Sequence, residues 1–435
     1  MSGTLNTGNA APVDADEFAR LLEFIAPPLA PKLAVAVSGG PDSMALVFCL
    51  KRWAQRAIVA FIVDHKLRAE SSTEAANVKT FLAQSGIDAE VLSWEHEPVI
   101  GRLHEKARAA RYRLLIEACR RHGAQDLFIA HHRDDQAETI LMRLAKGSGV
   151  DGLAGMEAQK MRDGIRFLRP FLSLPKDRLI ATCQKASLPF ITDSSNKNEK
   201  FARGRLRKIL PLLAEEGFTV ESLLTLGARA AEAKSALEHY TNDFLRRAAK
   251  TGIGGNVELD RTLLRTVPRA IGLRALTSCL RYIHTAEYPP EYATLSSLYD
   301  ALILITADAS ARTLYGCIVS LSSNRVVFLR EPSATETQPF QPGKSVLWDG
   351  RWLVTAKEYH PAQSLTLRAL GTPPHAVLDR LSPALRRQIP QGRVRASLPA
   401  LWQGEQIHAI PSFDEKSPLS ISHLKQLFPK FREMI

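Results

Sequence analysis

The feature that most narrows the fold of this chain is an alternation of short apolar runs with amphipathic stretches through its first third. Leu33–Val37, Ile58–Val63, Val91–Trp94 and Leu127–Ala130 are runs of four to six residues, rich in Val, Ile and Leu. Between them lie helical patterns over about Ser43–Trp53, Thr73–Ser85 and Leu103–Arg121, and another begins near Asp135. Apolar runs of this length, separated by helices, build βαβ units around a parallel sheet buried on both faces. The expected fold is therefore α/β, a doubly wound parallel sheet over residues 31–216, with Phe190–Thr192 as a late strand.

Beyond Pro211 the texture changes. Val220–Lys250 and Arg261–Ile305 carry helical periodicity, and the Gly252–Gly255 stretch between them reads as a turn. Residues 331–345, rich in Pro, Thr, Gln and Ser, read as a linker. Trp348–Thr355, Ser364–Leu370, Leu398–Trp402 and Gln406–Ile410 then suggest strands of a small terminal domain. The expected order is an N-terminal extension (1–30), the α/β domain (31–216), a helical second domain (217–330), the linker, and a small α+β C-terminal domain (346–435).

Composition bounds the partners. A chain of 435 residues exceeds one ordinary core. No apolar run reaches the roughly 20 residues that span a bilayer, and the start, with Asp14, Asp16 and Glu17, lacks the basic and apolar regions of a signal peptide. Five scattered cysteines without a C-x-x-C pair read as reduced, mostly buried thiols, which points to the cytoplasm rather than to a disulfide frame or zinc site. A formal charge of +12 favours a polyanionic partner such as nucleic acid, though a generally basic protein has the same count.

Three clusters carry candidate chemistry. Ser38-Gly39-Gly40-Pro41-Asp42-Ser43 sits where the first strand ends and a helix begins. Glycines let backbone approach an anion, the new helix offers free N–H groups, and the serines add hydroxyls. The loop lacks Gly-Lys-Ser/Thr, so it is no Walker loop. Asp42 beside a polyphosphate would repel it unless a divalent cation lies between, which implies Mg²⁺. A Gly-rich βα turn closed by an Asp cap is the plainer alternative. Asp64-His65 ends the second strand, at the edge where α/β sheets bind ligands; Asp64 would contact a nucleotide or order the turn. His131-His132-Arg133-Asp134-Asp135 and Glu138 follow the fourth strand. Asp135 and Glu138, three apart, share a helix face and could converge on a cation, either Mg²⁺ or an ammonium group. Arg108 and Arg111 share one face of a helix, and Lys200, Arg203, Arg205, Arg207 and Lys208 form a basic strip suited to RNA.

Taken together, these segments resemble the N-type ATP pyrophosphatase (PP-loop) family and, within it, the tRNA(Ile)-lysidine synthetase branch. The resemblance rests on Ser38–Ser43, Val63-Asp64-His65 with Leu67-Arg68, Ala107-Arg108 with Arg111-Tyr112, and Ala130–Thr139. It continues through Arg143–Gly149, Gly152–Met156, Arg169-Pro170-Phe171-Leu172 and Asp193-Ser194-Ser195-Asn196, and more weakly at Leu398–Trp402 with Ile407–Pro411. Lys146 stands where that family often has Arg, and Ser194-Ser195 where Pro and Ser or Thr are usual.

The resemblance implies two-step chemistry. The wobble cytidine of a CAU-anticodon tRNA(Ile) is adenylated at its C2 oxygen by ATP, and free L-lysine then displaces AMP. It also implies that Ser38, Gly39, Gly40, Pro41, Asp42 and Ser43 hold the polyphosphate and metal, and that Asp64, Arg111 and His131 or His132 meet the nucleotide. Asp135 and Glu138 would take lysine's ammonium groups, with Asp42 and Asp135 catalytic and the C-terminal domain helping to recognise tRNA. A tRNA thiolase shares the loop but usually needs cysteine pairs, and a catalytically silent tRNA-binding protein would not need Asp42. The oligomeric state, a homodimer included, stays open.

Overall fold

The computed structural model describes residues 10–25, 32–54, 56–68, 70–96, 103–191, 202–284, 289–304, 311–322, 324–341, 343, 345–356, 365–373, 379, 383–390, 392–411 and 419–423. They fall into two compact units, Met1–Lys234 and Ser235–Ile435.

In the first unit, strands β1 (Lys32–Ala36), β2 (Ala57–Asp64), β3 (Asp88–Ser93), β4 (Asp126–Phe128), β5 (Gln159–Arg162) and β6 (Ile165–Leu168) form one sheet in the order β3-β2-β1-β4-β6-β5. Neighbours pair in parallel except β5, which runs antiparallel to β6 as the far strand of a hairpin. Helices α1 (Ala15–Glu23), α2 (Pro41–Trp53), α3 (Ser71–Gln84), α4 (Leu103–Arg121), α5 (Arg133–Ala145), α6 (Val150–Leu153), α7 (Lys176–Lys185) and α8 (Ala202–Glu215) surround it.

The period of β1 explains the two layers. Leu33 and Val35 enter a core with Met44, Leu46 and Leu50 of α2, Val78 and Leu82 of α3, and Leu179 and Cys183 of α7. Ala34 and Ala36 face the opposite core, with Leu115, Ile116 and Cys119 of α4. A strand with no polar face must be covered on both sides. Asp14 caps α1 by accepting from the Glu17 N–H at 2.8 Å, and Phe18 and Leu22 of α1 join the first core.

Phe190 and Ile191 do not form the expected late strand, and Thr192 lies outside the described residues. The Ile191 N–H donates instead to the Gly39 carbonyl at 2.9 Å, so this segment braces the bend after β1.

The boundary between units falls within the long helix α9 (Val220–Ala248). The second unit contains the expected helices, here α10 (Arg261–Leu264), α11 (Arg269–Ile283) and α12 (Tyr292–Leu304). It adds an antiparallel sheet of β7 (Ala249–Thr251), β8 (Val257–Asp260), β9 (Arg312–Leu314), β10 (Cys317–Leu321) and β11 (Arg325–Arg330), in the order β7-β8-β11-β10-β9. The Gly252–Gly255 turn joins β7 to β8. The stretch expected as a linker holds a 3₁₀ turn (Pro332–Ala334) and β12 (Gln338–Phe340), which pairs with β15 (Leu365–Ala369). β15 continues the sheet into β16 (Pro399–Gln403) and β17 (Gln406–Ala409), while β13 (Ser345–Trp348), β14 (Trp352–Ala356) and β18 (Leu419–His423) form a second small sheet. Trp348 and Trp352, both fully buried, anchor their shared core.

Candidate active site

The bend after β1 is built by backbone geometry. Gly39 has φ +79°, where side chains are disfavoured, and a Cβ there would lie 2.8 Å from Val78 Cγ2 and 3.1 Å from Ile191 Cδ1. Gly40 is the N-cap of α2 and Pro41 its first residue, where the missing N–H removes no helical bond. The Ser38 N–H donates to Ser43 Oγ at 3.1 Å, and Ser43 Oγ donates to the Gly40 carbonyl at 3.0 Å. The loop is thus closed on itself at the positive end of a 13-residue helix.

Asp42, in the first turn of α2, lies beside an imidazole and an ammonium group: Oδ2 is 3.7 Å from His132 Nε2 and 3.9 Å from Lys176 Nζ. Its other oxygen, Oδ1, is buried and has no hydrogen-bond partner among the described residues. Burial raises the Asp42 pKa, opposed by His132 and Lys176 and reinforced by Asp135. A desolvated carboxylate with an unused oxygen is the donor a hard divalent cation selects. Among the described residues no three His, Cys, Asp or Glu side chains gather to hold a metal by themselves. Mg²⁺ typically takes one or two carboxylates and completes its shell with phosphate and water, so the donor set fits that ion together with a polyphosphate.

The second group of residues arrives from the carboxyl end of β4, next to β1 in the sheet. His132 is the buried N-cap of α5, and its backbone N–H donates to Asp135 Oδ2 at 3.2 Å. Its Nε2 lies 3.5 Å from that same oxygen, so His132 stands between Asp42 and Asp135. Lys176, at the start of α7, also donates its backbone N–H to Asp134 at 3.1 Å. Sequence reasoning missed Lys176, and its only signal was its place shortly after Arg169-Pro170-Phe171-Leu172.

Asp135 and Glu138 share one face of α5, and the cation they meet is internal. Arg207 of α8 pairs with the buried Glu138 through Nε and, at 3.2 Å, through its second amino nitrogen, which is also 3.9 Å from Asp135. Arg207 therefore belongs to the acidic cluster rather than to an outward basic strip. Arg205 and Lys208 of that helix are exposed. Only the backbone of Arg203 is described, and Lys200 and Asp193–Asn196 lie outside the described residues.

Asp64 is buried at the end of β2, and its oxygens accept from the Lys66 N–H (2.9 Å), Ser71 Oγ (2.7 Å) and Ser72 Oγ (2.6 Å). Burial pushes its pKa up, but these three donors outweigh it and hold it below the ordinary value. Of the two roles open to Asp64, this geometry favours ordering the turn into α3.

A cationic group flanks the site. Arg111 is half-buried and, among the described residues, has no carboxylate partner; burial lowers its pKa, with Tyr112 opposing and Arg108 adding to the effect. Arg108 donates to the Tyr112 hydroxyl at 3.3 Å. Burial lowers His65 to about 4 and His131 to about 3, with Arg111 beside the first and Arg169 beside the second. Both imidazoles are neutral at physiological pH. The carboxylates Asp42 and Asp135 thus share the carboxyl edge of the sheet with guanidinium groups and neutral histidines.

Comparison with known proteins bears on what this edge does. A family model described as the PP-loop domain matches residues 14–213, from the cap of α1 to α8. Over 339 residues the chain is 40% identical to the tRNA(Ile)-lysidine synthase of Methylobacterium sp. (strain 4-46), an alignment covering 76% of this chain and 98% of that protein. The chain belongs to the tRNA(Ile)-lysidine synthase family. The protein of that name from Rhodopseudomonas palustris is 39% identical, with 76% of this chain and 98% of the relative covered. For the one from Ruegeria pomeroyi the identity is 36%, covering 87% and 88%. Membership in the lysidine synthase family extends past the PP-loop domain into the second unit. Among the described residues no helix is long and apolar enough to cross a membrane, and the five cysteines are buried thiols that form no disulfide with one another.

Proposed function

We propose that this chain joins free L-lysine to C2 of the wobble cytidine in CAU-anticodon tRNA(Ile), in the cytoplasm, at the expense of ATP. In the first step the cytidine C2 oxygen attacks the α-phosphorus of ATP. The bond to the bridging oxygen breaks, and pyrophosphate leaves with the electron pair. In the second, an amine of lysine attacks C2, the C2–O bond breaks, and AMP departs. Adenylation is what makes the second step feasible, since it turns a poor oxygen leaving group into a good one.

The observation that carries this reading is the Asp42 carboxylate at a phosphate-type bend, with one buried oxygen unpartnered among the described residues and the other beside His132. Ser38, Gly39, Gly40 and Ser43 would cradle the polyphosphate by N–H and hydroxyl groups, with Pro41 setting the helix start. Asp42 would hold Mg²⁺, which when bound neutralises phosphate charge during transfer. Lys176, close to Asp42, would contribute a further positive charge to the same phosphates. Arg111, with no acid partner among the described residues, supports contact with an anionic group of the nucleotide or of RNA. Asp135 is the better candidate for the lysine ammonium and for its proton, because Glu138 is already engaged by Arg207. Exposed Arg205 and Lys208 support contact with tRNA backbone phosphate, the coarse charge of +12 pointing the same way.

The test incubates the protein with ATP, Mg²⁺, radiolabelled lysine and bulk bacterial tRNA. Label enters tRNA, and Asp42→Ala abolishes it. Labelling that survives this substitution, or label entering only from a sulfur donor, would overturn the proposal.

A further inference from the structure

Two residues just beyond the ends of neighbouring parallel strands meet beside the acidic cluster. β4 and β6 pair in register, Phe128 opposite Leu168, and the Ile129 N–H extends the ladder to the Leu168 carbonyl at 2.8 Å. The chain then leaves β4 through His131 and β6 through Arg169. Arg169, 7% exposed, is fixed at several points. Its backbone N–H donates to Ala158 at 2.8 Å, its Nη1 to the Glu157 carbonyl at 2.8 Å, and it shares a hydrogen bond with the buried Tyr112 hydroxyl. Its Nε–H points at His131 Nδ1, 3.2 Å away.

A guanidinium has only donors, so the ring nitrogen it meets must be bare. A neutral imidazole with Nδ1 as acceptor carries its proton on Nε2. We infer that Arg169 is a positioning residue that commits His131 to the Nε2–H tautomer, making it a fixed hydrogen-bond donor to an oxygen of the nucleotide or the adenylated cytidine. The identity of that oxygen's owner rests on the proposed function; the tautomer does not. The environment agrees: burial first, then Arg169, Arg111 and Arg108, disfavour a protonated ring, and Asp135 alone opposes them. Tyr112 completes the support. The guanidinium carbons of Arg108 and Arg162 lie 5.1 and 4.7 Å from its ring centroid. Burial raises its hydroxyl pKa, but Arg108, Arg169 and Arg111 outweigh it and leave it lowered.

A donor and a base respond differently to substitution, which makes the assignment testable. In full-length protein labelled with ¹⁵N-histidine, the His131 signals are identified by their loss in His131→Gln. Wild type shows a protonated Nε2 and a bare Nδ1. Arg169→Met shifts the ring toward a mixture of tautomers, whereas Arg169→Lys, which keeps one donor, retains most of the original pattern. In lysine incorporation, His131→Gln keeps an amide N–H where Nε2–H stood and retains most activity. His131→Ala loses about 10²-fold, the scale of one oriented donor. Arg169→Met loses about tenfold in kcat with little change in KM, and loses nothing further in the His131→Gln background. An unchanged tautomer in Arg169→Met overturns the inference, as does a His131→Gln variant no better than His131→Ala. Absence of lysine incorporation in wild type would instead count against the proposed function and leave the tautomer measurement standing.

Discussion

Single residues at this site trade stability against chemistry. Asp42 is the clearest case, because burial raises its pKa and one oxygen lacks a partner among the described residues. Asp42→Asn removes a desolvated charge, so Tm holds or rises by a few degrees, about 1 kcal/mol, while lysine incorporation is lost; a large fall in Tm would show the carboxylate to be structural. The histidines set a pH dependence of definite sign. His65 and His131 have folded-state pKa values depressed to about 4 and about 3, against about 6.5 when unfolded. Between those values the unfolded chain binds more protons, so their contribution is complete above about pH 6.5 and is lost as pH falls toward the folded values. Urea midpoints should therefore drop from pH 7 to pH 5. The drop should be smaller in the His65→Gln, His131→Gln double variant, and an identical slope would refute the assignment.

At the scale of elements, two joints hold the site. One is the bend between β1 and α2, where Gly39 needs positive φ and has no room for a methyl group. Gly39→Ala should cost about 1–2 kcal/mol from backbone strain alone, and more from contact with Val78. Adding Val78→Ala should recover only the second part, a separation readable by denaturant titration. The other joint is the pairing of α8 with α5 through Arg207 and Glu138. Glu138 is buried, so Arg207→Met takes away a cation that offsets its desolvated charge. Because Arg207 is itself partly exposed, the expected loss is about 2 kcal/mol, below the 3–5 typical of a wholly buried pair. Glu138→Gln in the same chain should restore most of it, and failure to do so would mean the contact matters for shape rather than charge.

Across the whole molecule, two units with separate cores carry the chain. Unfolding of such a protein need not be a single transition. ATP with Mg²⁺ should raise only the transition of the PP-loop unit, by about 2.7 kcal/mol at a ligand concentration 100 times Kd; a shift of both transitions together would place nucleotide contacts in the second unit as well. Long-range charge is the other property of this scale. Neutralising Arg205 and Lys208 should weaken tRNA binding and reduce the slope of log K against log salt by about 1 to 2. Arg207 is best left intact in that experiment, since its loss would disturb Glu138.

What could be read directly from the chain followed local rules. Continuous apolar runs such as Leu33–Val37, and helical patterns such as Leu103–Arg121, reflect backbone geometry and solvent exposure within a few residues. The Ser38–Ser43 bend was legible because glycine, proline and helix-start chemistry act on neighbours. Residues 159–168 went unread, since a short hairpin with polar Gln159, Lys160 and Arg162 has no apolar run to announce it. The linker reading of 331–345 missed β12 for a like reason, as its partner β15 begins 25 residues after β12 ends. Partnership was beyond the sequence altogether. Arg207 turning inward to Glu138, Lys176 reaching Asp42, and Arg169 orienting His131 each join residues 38 to 134 positions apart. Residue type decides what a side chain can donate or accept, while the strand order β3-β2-β1-β4-β6-β5 decides which ones meet.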